Sequence, residues 1–395
     1  MKQHIVVLRS TRIDFYTTVG AKLEKSNDLN VLDLFCGCGG LSLGARGAGL
    51  TPLLSVDIDE VLSSSYELNF GAGALLNEDL MSFGPSQAAN RIKQQPVDVV
   101  VGGPPCQGFS VMGKSDVNDP RNMLLARFFE YVAYFEPKFF MMENVPGLGA
   151  AANLKVLKKA MEVLPDHYVV LPPLLLDAAD FGAATSRPRL IVIGYDPEHC
   201  DSISAAEISA PSVKSRATVR DAISDLPNPP DQGDWLKVNR KPNTYATSLM
   251  SWDNYEVSTF GQERLGQGLI SGFQKTRHTA TVVERFSKLQ QGERDPISKY
   301  QRLSWDRPSH VLRAGTGSDR GSFQAARPVH PAEPRVISVR EAARIQGFPD
   351  WFQFHETKWH SHRMIGNSVS PPFAKAILSR LVHACHRRDE MIAAE

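Results

Sequence analysis

VLDLFCGCGGLSLG, residues 31–44, decides how the rest of the chain is read. VLDLF is apolar apart from one aspartate and reads as a buried strand. Gly37, Gly39 and Gly40 follow, and LSLG then opens a helix. Glycine lets a backbone approach a ligand closely, and a helix N-terminus offers free N–H groups. Such a turn is either a cofactor site or a tight structural turn. It is not a dinucleotide fingerprint, because Ser42 stands where GxGxxG needs its third glycine, and it lacks the GK[ST] of a P-loop. Asp57 ends the next apolar run, where acidic residues of nucleotide-binding sheets hold a ribose hydroxyl pair. Asp79, in NEDL, is a candidate for an adenine edge.

Outward from that turn the pattern alternates. Short β-branched or aromatic runs at 31–35, 53–57, 97–101, 139–142, 168–171 and 190–194 are separated by segments of helical spacing. In 121–135, Met123, Leu124, Phe128, Val132 and Phe135 fall on or near one stripe. Strands alternating with helices predict an α/β fold, a doubly wound parallel sheet with both faces covered. Ligands bind such sheets at the carboxyl ends of the strands.

VDVVVGGPPCQGFS, residues 97–110, puts a thiol at one such end. Gly102 and Gly103 permit close approach, while Pro104 and Pro105 fix φ and remove two N–H groups. Cys106 is either a nucleophile or a buried, inert cysteine. Phe109 stands where a zinc deaminase needs the second cysteine of PCxxC. Amino-methylating enzymes carry an aromatic residue after the two prolines, and here a thiol takes that place, which points to covalent attack.

The chain has 395 residues, 42% hydrophobic and 22% charged, with net charge +1. That is globular composition, long enough for two domains. Five cysteines, an odd number, and an opening without a secretory pattern predict a reducing, cytoplasmic setting and thiols rather than disulfides. No window is long and apolar enough for a membrane span. Residues 201–335 are rich in Ser, Pro, Gly, Asn and Arg without a sustained period, which predicts a second, irregular domain. Between 301 and 344 eight Arg face four acidic residues, a basic excess hidden in the whole-chain charge. Helical patterning returns at 340–346 and at 371–388, the latter with Pro at its start.

Together these stretches resemble the DNA (cytosine-5)-methyltransferase family. DLFCGCGG resembles the motif that binds S-adenosyl-L-methionine, and GGPPCQGFS the catalytic motif. ENVPG (143–147) resembles the motif whose glutamate contacts the target base, and TSRPR (185–189) stands where the family has QxRxR. REAARIQGFPD (340–350) resembles the motif that organises the recognition domain, and IGNSVSPP (365–372) the one that returns to the cofactor pocket. The motifs follow the family order over nearly the whole chain.

The resemblance implies a Rossmann-like class I methyltransferase sheet with a smaller, irregular target-recognition domain. It divides the chain into a catalytic part (1–199), a recognition domain (200–343), a hinge (344–366) and a catalytic return (367–395), and leaves residues 1–29 without a role. It implies a DNA (cytosine-5-)-methyltransferase of restriction-modification or phage-defence type acting on double-stranded DNA. Cys106 adds to C6 of a cytosine flipped out of the duplex, at roughly a few kcal/mol. Negative charge then develops toward N3 and O2, which Glu143, Arg189 and Arg187 stabilise. A glutamate holding a proton beside N3 favours apolar neighbours, and FFMMEN supplies them in sequence. By the same resemblance Phe35, Gly37, Gly40, Asp57, Ile58, Asp79, Pro104, Asn367 and Val369 line the cofactor pocket. Ile58 stands where the family often has a larger side chain, and Thr185 replaces the usual Gln.

The variable region near 200–335 reads the target sequence in this family. Arg313, Arg320 and Arg327 are candidates for guanine edges or phosphates. His355, His360, His362, Cys385 and His386 lack a zinc-site spacing, so no metal is expected. Cys36 and Cys38 read as packing residues. A tRNA cytosine-5 methyltransferase of the same family and a non-catalytic DNA-binding module are the alternatives. The size of 200–335 weighs against the first, and the presence of Cys106, Glu143 and Arg189 against the second.

Overall fold

A computed structural model of the chain describes residues 29–105, 122–237, 241–250, 259–315 and 327–394. Cys106 and Arg320 lie outside the described residues, as does the loop 107–110.

The alternation builds one sheet from β1 (Asn30–Leu34), β2 (Thr51–Asp57), β3 (Leu75–Asn77), β4 (Val99–Gly102), β5 (Phe139–Asn144), β6 (Val169–Val170), β7 (Leu174–Asp177) and β8 (Pro188–Tyr195). The order is β3-β2-β1-β4-β5-β8-β6, with β7 also pairing β8. β3 through β5 are mutually parallel. β8 runs antiparallel to β5, β6 and β7, so the wholly parallel sheet expected from the alternation is corrected to a mixed one. The connections around β6, β7 and β8 are too short to carry parallel crossovers, and antiparallel pairing needs only a short turn.

Helices cover both faces. α1 (Gly40–Gly47), α2 (Tyr66–Phe70), α3 (Pro85–Arg91), α4 (Asn122–Phe135) and α5 (Ala151–Met161) interleave with the strands. Phe128, Phe129 and Val132 of α4 and Leu157 of α5 bury one face against Leu32, Val100, Phe140 and Met142. The other face packs Val31, Val99, Met141 and Ile193 against α1 and the last helix.

After β8 come α6 (Ala205–Ser209), α7 (Val219–Ile223), α8 (Thr244–Met250), α9 (Thr259–Gly266) and α10 (Ala280–Ser287), with a small antiparallel pair, β9 (Leu236–Lys237) and β10 (Leu269–Ile270). α11 (Val339–Gln346), α12 (Lys358–Asn367) and α13 (Pro371–Ala394) complete the chain. Ser338 and Glu341 close a capping box at the start of α11, which fixes the helix expected at 340–346. α13 returns along α1 so closely that a Cβ on Gly44 would stand 2.4 Å from the Ala374 Cβ. Cys200 and Cys385 are joined in a disulfide, which corrects the expectation that the cysteines stay thiols. The pair ties the segment after β8 to α13, while Cys36 and Cys38 are free and buried.

Candidate active site at the carboxyl edge of the sheet

The strand order reverses between β1 and β4, and such a switch point opens a crevice at the carboxyl ends. The register levels those ends. Val56, Leu34, Gly102 and Met142 pair in one row across β2, β1, β4 and β5. The next residue on each strand is therefore Asp57, Phe35, Gly103 and Glu143, so the edge carries three of the expected site residues side by side.

On the β1 side the chain turns sharply. Phe35 has φ 62°, an uncommon left-handed conformation for a residue with a Cβ. Gly37 (φ 54°) and Gly39 (φ 93°) continue the turn. The Gly37 N–H donates to Asp57 Oδ2, and the Asp59 N–H to Asp57 Oδ1, both at 2.8 Å. Asp57 thus clamps the glycine turn to the end of β2. Burial pushes its carboxyl above the ordinary value, and these two backbone bonds oppose the shift.

The turn is crowded on one side and open on the other. A Cβ on Gly39 would meet the Phe70 ring at 2.3 Å, whereas one on Gly37 would meet nothing within 4 Å among the described residues. A Cβ on Gly40 would lie 1.9 Å from Ser368 Oγ and 2.3 Å from the Val369 carbonyl. The segment holding Asn367 and Val369 is thus pressed on the first turn of α1, which has no side-chain cap. Gln346 Nε2 holds the Ser368 carbonyl at 2.8 Å. Asn367 is exposed and Val369 buried. Ile58 is 62% exposed just past β2, an apolar surface beside the open turn. Asp79 accepts the Met81 N–H at 2.9 Å and starts the turn before α3.

On the β4 side, Gly103 lies against Glu143: a Cβ there would stand 3.4 Å from Glu143 Oε2. Pro104 is buried, and Asn144 Nδ2 donates to its carbonyl at 3.1 Å. Asn144 therefore fixes the double-proline corner, a role the sequence reading missed although ENVPG contains it.

Glu143 continues β5 rather than capping a helix. Phe139, Met141 and Glu143 share one face of β5, and Ile193, Ile191 and Arg189 share that face of β8. Glu143 and Arg189 are thus diagonal cross-strand neighbours. Arg189 Nε donates to Glu143 Oε1 at 2.6 Å, with the two side chains only 11% and 12% exposed. Arg187 goes elsewhere: its guanidinium is buried and donates to the carbonyls of Leu312 (3.1 Å) and Gly366 (2.7 Å). Thr185, in the place of the family's Gln, donates through its hydroxyl to the His310 carbonyl at 3.2 Å. Ser186 N–H donates to the Ser309 carbonyl at 2.8 Å. TSRPR therefore stitches the sheet to residues 309–312. Just beyond, Arg313 is exposed, and Arg327 stacks on Trp359.

The chain is 37% identical over 371 residues to the type II methyltransferase M.XorII of Xanthomonas oryzae, covering 91% of this chain and 86% of that protein. It is 33% identical over 366 residues to the type II methyltransferase M1.HphI of Haemophilus parahaemolyticus, covering 88% and 85%. A prophage-encoded E. coli protein, provisionally named a DNA modification methyltransferase, superposes with TM-score 0.80 at 37% identity, over 91% of this chain and all of that one. The model of the C-5 cytosine-specific DNA methylases matches residues 29–383. With that match spanning the sheet, the glycine turn, the Glu143–Arg189 pair and the α13 return, the chain belongs to the C-5 cytosine-specific DNA methylase family.

Proposed function

We propose that this enzyme methylates C5 of a cytosine extruded from double-stranded DNA, with S-adenosyl-L-methionine as donor and Cys106 as transient nucleophile. The observation that carries this is the Glu143–Arg189 ion pair beside Gly103, three residues before Cys106. The glycine turn fits the donor: open space at Gly37, the Asp57 carboxylate, exposed Ile58 and the uncapped start of α1 surround one side of the switch point. Bound there, S-adenosyl-L-methionine supplies an electrophilic methyl on its sulfonium for C5 to take up. Phe35, Pro104, Asn367, Val369 and Asp79 complete the proposed pocket.

The remaining chemistry belongs to the chain's own side chains. The Cys106 thiolate bonds to C6, the ring loses its aromaticity, and C5 becomes enamine-like. Glu143 stabilises the charge that reaches N3 by sharing a proton with it, and Arg189 holds Glu143 while facing O2. Loss of the C5 proton then expels the thiolate from C6 and restores both ring and enzyme. Arg187 serves by holding residues 312 and 366 beside the strand that carries Arg189. We place this activity in the cytoplasm, within a restriction or phage-defence system, a reading that the type II names of the relatives support.

Duplex DNA containing 5-fluorocytosine tests this reading, because the C5 fluorine blocks the elimination and traps the adduct. The wild type with S-adenosyl-L-methionine should form a denaturant-stable protein–DNA species, and Cys106→Ala should form none. An adduct with the alanine variant, or none with the wild type on mixed-sequence duplex, refutes the proposal.

A further inference from the structure

A second cluster of cations lies away from the carboxyl edge, at the start of α12. Gln274, Arg327, Glu356, Thr357, Lys358 and Trp359 line a shallow recess of about 460 Å³. The Arg327 guanidinium lies 5.1 Å over the Trp359 ring, and Lys358 Nζ is held by the Lys275 carbonyl at 2.8 Å. Burial depresses the Lys358 ammonium, and the charges of Arg327 and Arg277 depress it further. His362, 9% exposed, is pushed well below the ordinary histidine value by burial and then by Arg327 and Lys358. Among the described residues no carboxylate forms an ion pair with Arg327 or Lys358, whereas the neighbouring Lys275 pairs with Asp231, whose carboxylate Arg277 also stabilises.

Glu356 also lines the recess but is exposed and, among the described residues, forms no ion pair with Arg327 or Lys358, so the two cations repel each other and an anion seated between them offsets that cost. A base edge offers partial charges and suits a guanidinium fork presented edge-on. Lysine is a point charge, and an arginine laid on an indole ring pairs with it face-on. A phosphodiester meets both cations. α12 runs about 15 Å from this recess to Asn367 at the cofactor turn, given its rise per residue, so the recess lies on the flank of the proposed active site.

We infer that the recess lined by Arg327, Lys358 and Trp359 binds the phosphate backbone of the substrate duplex beside the target base. Arg327 thereby positions DNA and reads no base. The inference rests on duplex DNA being the substrate.

The test is equilibrium binding of the full-length protein to a mixed-sequence duplex at salt concentrations from about 50 to 200 mM. Arg327→Gln and Lys358→Gln should each lower the slope of log affinity against log salt by about 0.9. Arg327→Lys should keep the wild-type slope, because the slope counts the charges that meet phosphates and lysine keeps that charge. The methylation pattern of cells expressing Lys358→Gln should keep the wild-type target sequence. Melting temperatures check folding, and if Arg327→Gln unfolds early, Lys358→Gln carries the measurement. Unchanged slopes in folded glutamine variants overturn the inference. So does a relaxed target sequence in Arg327→Lys, which marks a base reader, or a slope change seen on tRNA and not on duplex. The 5-fluorocytosine adduct separates the two claims. A wild-type adduct with unmoved slopes sinks only the phosphate site, and lowered slopes without an adduct sink only the catalytic reading.

Discussion

Replacing Asp33 by asparagine should stabilise the protein increasingly as pH rises. Asp33 lies in β1, the strand that delivers the glycine turn, and is 2% exposed. Its Oδ2 accepts the Ser42 hydroxyl from α1, and its Oδ1 has no hydrogen-bond partner among the described residues. Ser42 in turn lies 2.8 Å from the Tyr66 hydroxyl, which is 2.7 Å from Ser55 on β2. Burial lifts the Asp33 carboxyl from 3.8 to about 7, the Ser42 bond opposes this, and the Asp57 charge adds to it. The folded state therefore prefers the protonated acid. Below about pH 4 both folded and unfolded chains are protonated and nothing is lost. As pH rises toward about 7 the unfolded chain ionises first, and stability falls by roughly 1.4 kcal/mol per pH unit. Asparagine is neutral throughout and keeps an acceptor for Ser42. Between about pH 5.5 and pH 8 its advantage over the wild type should grow by about 2 kcal/mol. Chemical denaturation of both proteins at the two pH values measures it. A stability difference that does not change with pH would mean that Asp33 is ionised in the fold, and the argument from burial would fail.

Two further substitutions probe the architecture around the site. Gly40→Ala places a methyl 2.3 Å from the Val369 carbonyl, which cannot rotate away as Ser368 can; overpacking of about 1–3 kcal/mol should pry residues 368–369 from α1 and lower S-adenosyl-L-methionine affinity about tenfold or more, read by calorimetry. Arg344→Met removes the buried partner of Asp350 (2.7 Å) and Asp225 (2.6 Å). It should cost about 3–5 kcal/mol in denaturation at neutral pH, and a loss below about 1 kcal/mol would show the two carboxylates to be solvated.

The central strands were legible because β1, β4 and β5 are buried on both faces and so read as continuous apolar runs. β3 and β7 were not: Leu75–Asn77 is short and half exposed, and Leu174–Asp177 follows two prolines without a turn signal of its own. The antiparallel end of the sheet was illegible for a different reason. Composition reports that a strand is buried, and carries nothing about its direction; only the short connections around β6, β7 and β8 constrain that. The Cys200–Cys385 pair joins positions 185 residues apart, and an odd cysteine count gave no hint of it.

At the carboxyl edge of the sheet, which residue types stand there was legible in the sequence, and what they touch was not. The glycine turn was legible because positive φ and close packing leave only glycine there, as Gly39 against Phe70 illustrates. Arg187 and Arg189 looked equivalent in TSRPR, two cations on alternate positions. Their spacing puts both on one face, but what each meets depends on segments that spacing cannot see. Arg189 meets Glu143 across the β5–β8 ladder, a contact set by register. Arg187 meets the carbonyls of Leu312 and Gly366, 125 and 179 residues away. A guanidinium spent on two backbone carbonyls keeps its full charge, since carbonyls neutralise none of it, and pins those segments at a fixed distance from the strand. The division of labour follows: Arg189 holds the Glu143 carboxylate, and Arg187, two positions earlier, holds the segment at Leu312 and the end of α12.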